Sequence, residues 1–255
     1  MFTDSHTHLY LKKFQHDIDD VINNALENKV TKFLMPNIDN TTLKKMLSLC
    51  KKDKGKLFPM IGLHPCSVEK DYLEQLEKLY NKINDYKFIG IGEVGMDLYW
   101  TKQFIVEQKN AFRIQINWAK KHNLPLVIHS RNAFNDIYNI LLEEKTPHIK
   151  GVFHCFSGNY EEAKKIIDLG FYLGIGGVLT FKNSNLSDVI KKIDMKNLIL
   201  ETDSPYLAPH PMRGERNEPK FLPLIGKQLA KIKNMSISEI AQITNQNINT
   251  IFFNT

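Results

Sequence analysis

Two histidines one residue apart, His6 and His8 in Asp4-Ser5-His6-Thr7-His8, stand near the start of this 255-residue chain. At the end of a short strand they project both imidazoles to one side, because strand side chains alternate with period two. Imidazole is the commonest metal-binding side chain, so that face offers two ligands. Later stretches supply matching groups, each closing an apolar run: Glu93, His129, His154 and Asp203. Such a cluster suits hydrolysis by one or two divalent ions, which polarise the electrophile and lower the pKa of a bound water to about 7. Glu93 is the natural bridge between two ions, with His6, His8 and Asp203 on one and His129 and His154 on the other. Asp203 is also the expected acceptor of the attacking water's proton, since a ligand carboxylate lies within its reach.

These residues need elements that carry them to one place. Apolar runs at 32–35, 57–61, 87–92, 125–128, 151–153, 171–174 and 197–200, with the first strand before His6, read as eight strands. Helical patterns at 17–27, 72–83, 106–122, 134–143 and 160–169, another opened and capped by Asn40, and a short one before the eighth strand lie between them. Stretches 222–231 and 236–244 close the chain as helices. A helix after every strand implies parallel pairing and most simply an α/β fold of one domain, residues 1–255, a (β/α)8 TIM barrel; an open doubly wound sheet is the alternative. In such a barrel, groups at the C-terminal ends of different strands meet at one mouth. The ends here carry His6 and His8, His64, Glu93, His129, His154 and Asp203. The bland account, in which histidines close strands and Asp203 caps a helix before Ser204-Pro205, needs several independent accidents at once.

Composition limits the alternatives. With 42% hydrophobic and 24% charged residues the chain is an ordinary folded protein rather than a disordered one. Cys50, Cys66 and Cys155 form no Cys-x-x-Cys, which disfavours disulfides and zinc knuckles and suits the cytoplasm. No apolar run approaches a membrane span and no leader pattern precedes Phe2. No Gly-x-Gly-x-x-Gly or Walker motif is present, against nucleotide cofactors. The net charge of +6 suits a phosphate-bearing partner, although most of it is lysine. Arginine says more, because its planar fork grips phosphate oxygens in pairs. Of Arg113, Arg131, Arg213 and Arg216, the last three fall in loops expected near the mouth.

Taken together, Asp4-Ser5-His6-Thr7-His8, Gly62-Leu63-His64-Pro65, Gly92-Glu93-Val94-Gly95-Met96-Asp97, Ile128-His129-Ser130-Arg131, His154-Cys155-Phe156-Ser157-Gly158 and Glu201-Thr202-Asp203-Ser204-Pro205-Tyr206 resemble the TatD-type deoxyribonucleases of the metal-dependent amidohydrolase superfamily. Arg213-Gly214 and Asn217-Glu218-Pro219 extend the resemblance over nearly the whole chain. It implies a (β/α)8 barrel, a two-ion site (Mg, Mn or Zn) on His6, His8, Glu93, His129, His154 and Asp203, and cleavage of DNA phosphodiesters, often from 3′ to 5′. Glu93 stands where other amidohydrolases carry a carboxylated lysine. Two positions depart from the pattern: Asn132, where many members have aspartate, and Cys66, where some have a second histidine. The resemblance puts His64 beside the scissile phosphate, as a substrate-binding group. Arg131 and Arg213 are the expected phosphate clamps, and Tyr206, with Phe181, Tyr99 and Trp100, a stacking surface for single-stranded or frayed DNA ends. Gly174-Ile175-Gly176-Gly177 could turn backbone amides toward a phosphate. The near rival is a D-aminoacyl-tRNA deacylase using the same ions. A DNA-binding protein with a dead site and a hydrolase of small cyclic amides or esters are more distant.

Overall fold

The computed structural model describes residues 1–53, 55–144 and 149–253. Among them run eight strands: β1 Phe2–Asp4, β2 Val30–Met35, β3 Leu57–Pro59, β4 Ile91–Asp97, β5 Leu126–Arg131, β6 Gly151–Phe153, β7 Phe171–Ile175 and β8 Leu198–Leu200. The helices are α1 Ile18–Glu27, α2 Asn40–Lys52, α3 Tyr72–Tyr80, α4 Ile105–His122, α5 Phe134–Glu143, α6 Tyr160–Asp168, α7 Leu186–Lys192, α8 Leu222–Lys233 and α9 Ile237–Phe252. Neighbouring strands pair in parallel as β1-β2-β3 and as β4 through β8. Two seams join these runs into a closed (β/α)8 barrel. At one, Ile61 N donates to Gly90 O (3.1 Å) and Gly92 N to Ile61 O (2.9 Å). At the other, Ser5 N donates to Leu200 O (3.1 Å) and His8 N to Ser204 O (2.8 Å). Among the described residues no strand edge is left open.

Alternation along the strands sorts two cores. Phe33 and Met35 of β2, with Ile128 of β5, face outward and pack beneath the helices, together with Phe14 and Phe112. Leu34, Val127, Val152 and Ile199 point the other way, into the lumen, where Met60 and Ile89 join them. The end of α9 closes that lumen from below with Ile248, Ile251 and Phe252. The sequence pattern ends this helix at 244, before an Asn- and Thr-rich stretch. Asn247, however, is buried and spends its amide on the carbonyls of Met195 and Leu198, 2.8 Å from each. A Ser236–Glu239 capping box starts the helix.

Two further expectations change. The N-cap of α2 is Asp39, whose carboxylate accepts from Thr41 N and Thr42 N, and Asn40 is the first helical residue. Strand β4 starts later than 87–92 and runs past Glu93 to Asp97. Glu93 is therefore inside the strand, where pairing with β5 slips between Ile91 and Val94. Such irregularities re-aim a side chain beside a site. No helix among the described residues is long and apolar enough to cross a membrane.

Candidate metal centre

Every residue expected at the mouth arrives there. His6 and His8 follow β1, His64 follows β3, Glu93 and His129 lie in β4 and β5, and His154 and Asp203 follow β6 and β8. Glu93 is the hub, only 2% exposed. Its two oxygens divide the imidazoles between them. Oε2 lies 3.2 Å from His6 Nε2 and 3.4 Å from His8 Nε2, and Asp203 Oδ1 completes that side at 3.7 and 3.5 Å from the same nitrogens. Oε1 faces His129 Nδ1 at 2.8 Å, His154 Nε2 at 2.7 Å and His64 Nε2 at 3.2 Å. His64 thus joins the donor cluster, where the sequence reading saw only a substrate contact; its Nδ1 accepts from Cys66 N.

Three residues that the sequence reading left without a part in the site orient these rings. Tyr10 Oη donates its one proton to Pro36 O (2.5 Å), so its contact with His8 Nδ1 (2.9 Å) has to be donated by the imidazole. That leaves the Nε2 lone pair of neutral His8 facing the cluster. Asp97 Oδ2 likewise accepts from His129 Nε2 (2.9 Å) and frees Nδ1 for the site. Glu201, wholly buried, sits 3.5 Å from His154 Nδ1. Carboxylate and hydroxyl partners of this kind fix the tautomer and raise the basicity of metal-binding histidines. Asp4, also wholly buried, accepts from Thr202 N (2.9 Å) and Thr202 Oγ1 (2.6 Å), tying β1 to the chain after β8. Burial pushes its carboxyl up to about 8 against those hydrogen bonds.

The electrostatics show a cavity built for positive charge. Burial alone would raise the Glu93 carboxyl, but His154, His64 and His6, with the hydrogen bond from His129, hold it well below the usual range. Burial works on His8 in the opposite sense, and its bonds to Asp203 and Glu93 overcome it to raise the ring to about 9. Glu93 and Glu201 push His154 well above its ordinary value despite burial, whereas burial keeps His6 and His64 low. Protons here balance two buried carboxylates, a task that a divalent ion also performs. The spacing agrees. His6 Nε2 and His8 Nε2 face each other at 3.2 Å, and ligands about 2.0–2.1 Å from a zinc-like ion stand roughly 3.0–3.4 Å apart.

Two outcomes follow. An ion binds only the neutral imidazole, so affinity should fall as pH drops below about 9, where His8 takes up its proton. Metal titrations at pH 7 in buffers of different protonation enthalpy should show proton release; none at all would mean that these rings are not ligands. Tyr10→Phe keeps the ring and loses the hydroxyl, and should weaken ion binding by about 10–100-fold in competition with a chromophoric chelator. Unchanged affinity would remove Tyr10 from the site.

The rim holds the expected cations. Arg131 lies over the rings of Tyr99 (3.8 Å) and Trp100 (5.2 Å), and Arg213 over Phe181 (4.0 Å). Neither has a carboxylate partner within salt-bridge distance among the described residues. Tyr206 is half-exposed, its ring 6.2 Å from that of His8. Arg216, by contrast, is spent on Asp17 (2.6 Å) and Glu218 (2.7 Å), fastening the loop after β8 to the start of α1. A side chain would not fit at two of the glycines in and after β7: on Gly174 it would meet the Glu201 carboxylate, and on Gly177 the Leu207 carbonyl. His148, expected from the sequence as a surface histidine away from the strand ends, lies outside the described residues.

A family profile described as TatD related DNase matches residues 3–253. The chain belongs to the TatD family. It is 36% identical to the metal-dependent hydrolase YabD of Bacillus subtilis over 99% of both chains. It is 34% identical to the metal-dependent hydrolase YcfH of Escherichia coli, covering 98% of this chain and 94% of that one. The crystal structure of YjjV, a TatD homologue from Escherichia coli, superposes with a TM-score of 0.92 at 28% identity, covering 98% of this chain and 97% of the other. The TatD barrel thus carries over almost end to end.

Proposed function

We propose that this metal-dependent hydrolase of the TatD family cleaves DNA phosphodiesters as a 3′ to 5′ exonuclease on single-stranded or frayed ends, in the cytoplasm. The observation that carries the reading is the pairing of the Glu93 cluster with two rim guanidiniums, Arg131 and Arg213, each seated on an aromatic face and unspent on any acid. Such a fork suits phosphate oxygens, and the adjoining rings suit unpaired bases. His6, His8 and Asp203 would hold one ion, and His129, His154 and His64 the second, with Glu93 between. A donor set richer in imidazole than in carboxylate favours Zn over Mg or Mn. The ions, when bound, polarise the phosphoryl group and acidify the attacking water. The protein's own residues do the rest. Asp203 takes up the water's proton on its carboxylate, Arg131 and Arg213 hold the flanking phosphates, and Tyr206 stacks beside His8.

The test is hydrolysis of a 5′-end-labelled single-stranded DNA with Mg, Mn or Zn ions, or with EDTA. A ladder shortening from the 3′ end only with metal is expected; intact DNA under every ion would overturn the reading and turn attention to D-aminoacyl-tRNA, whose ester the same ions could cleave. Arg131→Ala should raise KM about tenfold and reduce the salt slope of binding by about one, as loss of a single phosphate contact does. An unchanged salt slope would show that Arg131 touches no phosphate.

A further inference from the structure

Beside His154 the wall of the barrel mouth opens into a cavity of about 390 Å³ between the β5–α5 and β6–α6 connections, with Ser130 and His154 in its lining. A second cavity of about 540 Å³, reaching Phe181, shares Ser157 and Gly158 with it, so the two form one groove leading away from the cluster. Its charge differs from that of the rim. Among the described residues no lysine or arginine lines either cavity, and apart from His154, which belongs to the cluster, the charged side chains are Asp136 and Glu162. Both are already engaged, Asp136 with Lys109 (2.6 Å) and Glu162 with the backbone N–H of Asn159 (2.9 Å). Away from His154, a phosphate finds no cation in this groove among the described residues.

What the first cavity offers instead is neutral and planar. Asn132, held in the left-handed region at φ 53°, and Asn135, in the first turn of α5, present exposed side-chain amides with no hydrogen-bond partner among the described residues. Phe134, Phe153 and Phe156 supply apolar wall. An amide carries a donor and an acceptor side by side, the arrangement that reads the edge of a nucleobase, and aromatic walls suit its faces. The volume is in the range of small-molecule sites.

We propose that this pocket binds the base of the nucleotide next to the scissile phosphate, with Asn132 and Asn135 bonding its edge, while the arginines hold the backbone. The proposal rests on the phosphodiesterase reading above and adds that the chain is gripped by a base as well as by its phosphates. The test measures binding in EDTA by fluorescence anisotropy, using a labelled single-stranded oligonucleotide and its twin with an abasic 3′-terminal residue. The native protein should bind the base-bearing form at least about tenfold more tightly, in line with the loss of one stacked base. The Asn132→Ala/Asn135→Ala variant, altered only at exposed side chains, should bind both alike. Equal binding of the two by the native protein, no binding of either, or a preference that survives in the variant would each overturn the pocket. Metal-supported hydrolysis of bis(p-nitrophenyl) phosphate, which carries no base, separates the two readings. Its loss with the base preference intact condemns the phosphodiesterase reading alone, and its persistence without that preference condemns the pocket alone.

Discussion

Glu93→Ala should leave no measurable hydrolysis, a fall of at least about 10³-fold, because several kcal/mol of ion-derived stabilisation would depend on the carboxylate proposed to lie between the ions. The geometry concentrates this effect in one side chain. Its two oxygens face separate sets of imidazoles, His6 and His8 on one and His64, His129 and His154 on the other. Without the carboxylate each set keeps nitrogens but loses the shared anion, so elemental analysis should show ions lost along with activity. A variant that retained its ions and its rate would end the bridging assignment. The ion-free protein provides an independent readout. Glu93 helps hold His8, His129 and His154 protonated in the fold. A histidine whose folded pKa is raised contributes stability that is full below the unfolded value of 6.5 and lost as pH rises through the folded value, about 9 for His8. Native ion-free protein should therefore lose stability from pH 6.5 to 9, and Glu93→Ala should flatten that decline in thermal melts.

The parts of this site that could be read in the sequence are those whose role follows from position on a single strand. His6, His8, His129 and His154 each end an apolar run, and a barrel gathers such ends without further information. Glu93 was assigned to a strand end and proved internal, because a slip in pairing between β4 and β5 involves a partner strand that the local pattern does not show. The orienting groups fall into the same class. Asp97 reaches His129 across neighbouring strands, and Glu201 reaches His154 from the far side of β7. Tyr10, only two residues from His8, is near in sequence, but it lies in the turn after β1, and its contact with His8 depends on how that turn folds. Arg216 looked like Arg131 and Arg213 until its partners Asp17 and Glu218 appeared. Loop arginines are told apart by what they pair with, and pairing is tertiary.

Asp203→Asn should lower kcat by about 10²–10⁴-fold, the span expected for a lost proton acceptor, while binding of the proposed DNA substrate is retained. The substitution is close to isosteric, and the backbone at φ 58° lies in the left-handed region, which asparagine tolerates well. The fold and the rim arginines should thus be undisturbed. Two roles converge on this carboxylate, ligand and proton acceptor, and they separate experimentally. If Asp203 serves only to hold an ion, excess Mn should restore the rate; if it takes the proton, the rate stays low at full occupancy, which is the result expected here. Its availability as an acceptor follows from its surroundings. Burial would raise the carboxyl, but the hydrogen bond from His8 and the charges of His6 and His154 hold it below its ordinary 3.8. It is ionised throughout the neutral range, so the acid limb of the native rate profile should come from protonation of imidazole ligands and shift when metal is raised. A limb insensitive to metal concentration would place the controlling proton elsewhere and remove Asp203 and the histidines together from that account.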